Sequence, residues 1–104
     1  MISPNQTQLG AHLQETYRMV HSAYSEGIPS ECYHPMLALL SENMSQRALA
    51  ELMAYCTGKD FARVFHDVLS VQSPFVPEKP EAAAVNQVKK RLEQFGYGDW
   101  LKQE

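Results

Sequence analysis

The sequence predicts an all-α protein, a compact bundle of about five helices folded as one domain over residues 1–104. Three observations carry that expectation. Apolar side chains recur every three to four residues along most of the chain. Glycines and prolines punctuate these stretches at the places where helices start and stop. No segment alternates apolar and polar residues for long enough to form a strand, and no internal repeat is present.

After Pro4, the residues Leu9, Leu13, Tyr17 (or Thr16), Val20 and Tyr24 fall on one stripe of a helix about 20 residues long. Gly27 suits a left-handed cap, and Pro29 prevents continuation. A polar turn over 29–34 is expected next. Pro35 then suits the first turn of a second helix, where its missing N–H has no partner to lose. Met36, Leu37, Leu39 and Leu40 make that helix apolar almost all round, which assigns it to the middle of the core.

Ser45 is a good N-cap for a third helix, with Met44 placed as a hydrophobic staple on Leu49. Leu49, Leu52, Met53 and Cys56 form its inward stripe, and Gly58 closes it. Asp60 caps a fourth helix in which Phe61, Val64, Phe65, Val68 and Leu69 form the cleanest amphipathic pattern in the chain. Pro74, Pro77 and Pro80 mark a surface loop over 73–80, with Phe75 and Val76 pinning it to the core. A last helix carries Val85, Val88, Leu92 and Phe95 inward and stops at Gly96. A short tail through Tyr97 and Trp100 follows.

Composition narrows the function classes. Apolar residues make up 44% and charged residues 20%, which suits a globular chain. The net charge of −3 disfavours nucleic acid as a partner. Cationic residues are mostly dispersed, and the one cluster, Lys89-Lys90-Arg91, fans around a helix as a solvated face. The longest apolar run, Met36 to Leu40, is far too short for a membrane span. The opening residues lack a signal-peptide pattern, which points to the cytosol with Cys32 and Cys56 reduced.

One resemblance stands out. Tyr24-Ser25-Glu26-Gly27-Ile28-Pro29, followed by Tyr33-His34-Pro35-Met36-Leu37-Ala38-Leu39-Leu40, resembles the actinobacterial family called domain of unknown function 3349. That family joins an aromatic helix end to a Glu-Gly-hydrophobic-Pro turn, then opens a Leu-rich helix with Tyr-x-Pro. Val88, Leu92 and Phe95-Gly96-Tyr97 are similar to its closing helix. Its usual Gly-Trp-Pro ending differs here, where Gly98 follows Tyr97 and the tryptophan is Trp100. The resemblance implies a compact helical domain and supplies no activity, cofactor or catalytic residue.

The side chains themselves point away from an enzyme. Cys32-x-His34 is the only close pair of metal-ligand type, and zinc-site spacing is absent, so no metal or other cofactor is expected. The sequence offers no glycine-rich phosphate loop, no oxyanion site and no usefully spaced carboxylate pair, so no catalytic residue is assigned. Cys56 reads as a core thiol, and His12, His21 and His66 as surface or boundary residues.

Protein interaction is the leading expectation, with an unidentified partner or a second copy of the chain. Its candidate surface is Tyr33, His34, Phe75, Tyr97 and Trp100, aromatic residues on loops over a rigid frame. The alternative is a small DNA-binding regulator using a helix-turn-helix-like pair over 45–70, with Lys59, Arg63 and His66 as contacts. Exposed carboxylates at Asp60 and Asp67 count against it.

Overall fold

A computed structural model of the chain describes residues 11–73 and 80–102. The described residues form six helices and no strand: α1 (Ala11–Ala23), α2 (Ser30–Leu40), α3 (Gln46–Thr57), α4 (Phe61–Gln72), α5 (Ala82–Glu93) and α6 (Tyr97–Leu101). The all-α bundle is as the sequence predicts. The portion of the first helix expected before Ala11, and residues 74–79 of the expected loop, lie outside the described residues.

The core is organised around α2. Six of its residues, Tyr33, Pro35, Met36, Leu37, Leu39 and Leu40, are buried. The helix packs against α4 on one side and α5 on another. α3 and α4 form a hairpin, and α1 bridges α3, α5 and α6. The central position of α2 follows from its composition, because a helix whose polar residues are confined to Ser30, Glu31 and His34 near its start must be covered elsewhere by neighbours.

Its start differs from expectation. α2 begins at Ser30, so the residues expected as a turn are its first turn, and Pro35 lies inside the helix. The boundary proline is Pro29, which holds an extended conformation (φ −60°, ψ 148°) and accepts from the Cys32 N–H at 2.9 Å. Pro35 removes one backbone donor from the second turn. Its ring is buried in the core, which offsets part of that loss.

The α3–α4 hairpin is built from caps. The Ser45 hydroxyl accepts from the Ala48 N–H at 3.1 Å, and the Asp60 carboxylate from the Ala62 N–H at 3.0 Å. Between the helices, Gly58 adopts φ +76°, and its N–H donates to the Ala54 carbonyl at 2.9 Å. Each cap gives a partner to a helix-end group that the helix itself cannot satisfy.

The buried face of α4 is rotated relative to the sequence pattern. Val64 and Val68 are buried as expected, and Phe65 is half-buried against the core. Phe61 and Leu69, expected inside, are each 41% exposed. Asp67, expected in solvent, is buried instead, together with Val71. The reason is a hydrogen bond: the Tyr33 hydroxyl donates to Asp67 Oδ2 at 2.8 Å, which makes a carboxylate acceptable on the inward face.

The last helices lock onto the first. Phe95, expected in the buried stripe of the last helix, is 43% exposed. Gly96 separates α5 from α6, and Tyr97 is buried where the tail turns back. The Trp100 indole N–H donates to the Thr16 hydroxyl at 2.6 Å. Arg91, expected on a solvated face, sends its Nε–H to the Ala23 carbonyl at 2.6 Å and lays its guanidinium 5.0 Å from the Tyr24 ring centroid. A cation on the last carbonyl of α1 complements the negative end of that helix.

Two substitutions separate packing from backbone strain. Leu40, fully buried, should lose about 2–5 kcal/mol of stability as Leu40→Ala. At Gly58 an added Cβ meets open space but a left-handed φ of +76°, so Gly58→Ala should cost only about 1 kcal/mol. Urea denaturation followed by circular dichroism measures both.

Candidate functional site

Two turns come together on one side of the bundle. The α1–α2 turn contributes Gly27 and Ile28, continued by Ser30, Tyr33 and His34 of α2. The α3–α4 turn contributes Cys56, Thr57 and Lys59, continued by Arg63 and Asp67 of α4. Between them lies a groove of about 400 Å³. A second cavity of about 230 Å³, lined by Tyr17, His21, Tyr24 and Tyr55 among others, shares Gly27, Ile28 and Cys56 with the groove. The two are therefore neighbours across these three residues.

Local structure fixes the cationic wall. The Thr57 hydroxyl donates to the Met53 carbonyl at 2.6 Å and accepts from the Lys59 N–H at 3.2 Å, which sets the path of the chain out of α3. Lys59 Nζ then sits 5.0 Å from the centroid of the Tyr33 ring. The Asp60 cap sets the start of α4 and so the position of Arg63 one turn along. Arg63 Nε lies 3.6 Å from Asp67 Oδ2, the same oxygen that accepts from Tyr33. The Arg63 side chain is 69% exposed, and this single long contact leaves most of the guanidinium fork facing outward.

These contacts also set the acid–base character of the groove. Burial, reinforced by the hydrogen bond to Asp67, pushes the Tyr33 hydroxyl well above the ordinary tyrosine range. Burial alone pushes the Cys56 thiol from 9.0 up to about 12. Burial, with the Cys32 thiol alongside, pushes Tyr24 from 10.0 up to about 12. At neutral pH all three therefore hold their protons. Among the described residues, no three His, Cys, Asp or Glu side chains converge where they could hold a metal ion.

The residues singled out from the sequence divide into two groups. Tyr33, His34, Lys59 and Arg63 meet at the groove, although the sequence points two of them to a protein surface and two to a DNA contact. Among the described residues, the expected aromatic surface is divided between the groove and the packed tail. Tyr33 and Tyr97 are buried, and Trp100 stacks on Tyr97 at 5.7 Å while bonding to Thr16 of α1. Phe75 lies outside the described residues. His66 is exposed on α4 and approaches the other Asp67 oxygen at 3.8 Å without lining the groove.

Sequence reasoning missed Asp67, Ile28 and the tyrosine cavity. Asp67 did leave a signal, since it occupies the i+3 position from Val64 on an apolar stripe, where a carboxylate requires a buried donor.

Residues 11–100 match the family described as "Protein of unknown function (DUF3349)". The chain belongs to that family. The match runs from α1 into α6, so it spans every described helix at least in part. The turn that carries the resemblance most sharply, Tyr24 to Pro29, is the one that supplies Gly27 and Ile28 to the groove. A comparison with curated proteins and with solved structures finds no match.

The raised thiol gives a pH test. Because the folded protein holds the Cys56 proton more tightly than the unfolded chain, that contribution to stability is complete below about pH 9 and is lost as pH rises toward 12. The urea midpoint should fall across this window, and fall less in Cys56→Ala. Tyr24, raised from 10.0 to about 12, maintains part of the decline above pH 10 in that variant.

Proposed function

We propose that the chain is a non-enzymatic protein-interaction module that receives its partner in the groove between the α1–α2 and α3–α4 turns. One observation carries the reading. Two loops on a rigid helical frame converge to form a concave surface walled by His34, Lys59 and Arg63. An interface benefits from such a preorganised arrangement, because less side-chain freedom is lost on binding.

The chemistry of the groove supports a binding role over a catalytic one. A thiol held protonated is a poor nucleophile, and Cys56 is held so. The Tyr33 hydroxyl is committed to Asp67, and Asp67 to Tyr33 and Arg63. Neither the Cys56 thiol nor the Tyr33 hydroxyl is poised to give up its proton at neutral pH. Cys32 and Cys56, both free, support the reading of a cytosolic protein. Nucleic acid is a poorer fit for a chain of net charge −3.

Immobilised full-length protein, exposed to a native lysate of its source organism, should retain a specific partner. The double variant Lys59→Gln/Arg63→Gln should lose at least about tenfold in retention, with an unchanged circular dichroism spectrum. Equal retention by both proteins, or none by the native chain, overturns the reading. Light scattering on the purified protein identifies the case in which the partner is a second copy.

A further inference from the structure

The groove has two ends of different chemistry, and together they specify a ligand. At one end His34, Lys59 and Arg63 face a single carboxylate, Asp67, which is already engaged by Tyr33 and Arg63. The other end contains no carboxylate and no lysine or arginine. There the Tyr17 ring stacks on His21 at 5.4 Å and meets Tyr55 edge-on at 5.1 Å. Gly27, Ile28 and Cys56 belong to both ends. The aromatic cavity and the cationic wall therefore adjoin across these three residues, within the reach of one short peptide segment.

We propose that the groove binds an acidic peptide segment of a partner protein, with an apolar or aromatic side chain anchored among Tyr17, Tyr24 and Tyr55 and its carboxylates against Lys59 and Arg63. This rests on the interaction role proposed above and names the class of segment recognised. Arg63 is suited to the carboxylate, because its planar fork makes paired hydrogen bonds that a point charge cannot. Burying an apolar anchor supplies affinity, while the cationic wall sets orientation and association rate.

Specificity follows from the contrast with the rest of the molecule. The chain as a whole carries −3, so an acidic segment is attracted at the groove and repelled elsewhere, which penalises off-register binding. A basic segment would meet Lys59 and Arg63 directly. Single-stranded nucleic acid could stack a base on the tyrosines, but it requires a cationic track along its backbone. Lys59, Arg63 and His34 form a short wall at one end only.

The test is selection of phage-displayed random dodecapeptides on the full-length native protein, followed by anisotropy titration of the fluorescein-labelled consensus peptide. Enriched sequences should share an aromatic or leucine residue close to Asp or Glu. Affinity should fall about tenfold or more in Lys59→Gln/Arg63→Gln and weaken steeply with added salt. Tyr55→Ala should weaken binding while leaving the salt dependence in place. Amide chemical-shift changes in the native chain should map to the α1–α2 and α3–α4 turns, a readout that does not depend on the variants folding.

No enrichment, consensus peptides without acidic residues, affinity unmoved by the double glutamine variant, or full displacement by single-stranded oligothymidine would each overturn the proposal. A lysate partner that requires Lys59 and Arg63 but binds through a neutral or basic segment defeats this inference alone. Failure of lysate capture as well defeats the interaction role with it.

Discussion

The structure depends on one constraint: beyond Ser30, Glu31 and His34, α2 leaves little for water to cover. A helix buried through Tyr33, Met36, Leu37, Leu39 and Leu40 must be enclosed, and the other elements are arranged to enclose it. α5 covers one flank and α4 the other, and the helices that cover α2 are in turn braced by α1 and α3. Amphipathic helices are suited to that enclosing role, with an apolar stripe turned inward and polar residues left outside. The apolar character of a single eleven-residue helix thus sets the connectivity of the bundle.

A buried polar contact refines this packing. Apolar surfaces tolerate sliding and rotation, whereas a carboxylate inside a core is tolerable only where its donor sits. The Tyr33–Asp67 hydrogen bond fixes α4 relative to α2 in rotation and in height. It also determines what α4 shows to the outside. Turning Asp67 inward moves Phe61 and Leu69 outward and leaves Arg63 at the mouth of the groove. The same pair of side chains therefore orients a structural helix and shapes the candidate site.

Much of the fold was legible because its signals are local. Ser45, Gly58 and Asp60 mark helix ends through their own backbone preferences, and each does so in the structure. Pro35 misled because a proline shows only that its own N–H is unused. Whether it opens a helix or interrupts one depended on Pro29, six residues earlier. Arg91 looked like part of a solvated run because its partner, the Ala23 carbonyl, is remote in sequence.

The groove was harder to read for the same reason. Tyr33, His34, Lys59 and Arg63 were each visible as candidates, yet nothing local to any of them indicates that two separate turns share a boundary. Tyr17 and Tyr55 are likewise unremarkable in their own helices until α1 packs on α3. A site assembled from several helices is encoded in how those helices pack, and a linear pattern records each contributor separately.

The contacts of Arg91 with Ala23 and of Trp100 with Thr16 join residues 68 and 84 positions apart. During synthesis, α1 leaves the ribosome long before either partner exists. Until α5 and α6 emerge, the C-terminal carbonyl of α1 and the hydroxyl of Thr16 lack these two partners. Closure of this bundle consequently waits for α5 and α6 to return to α1.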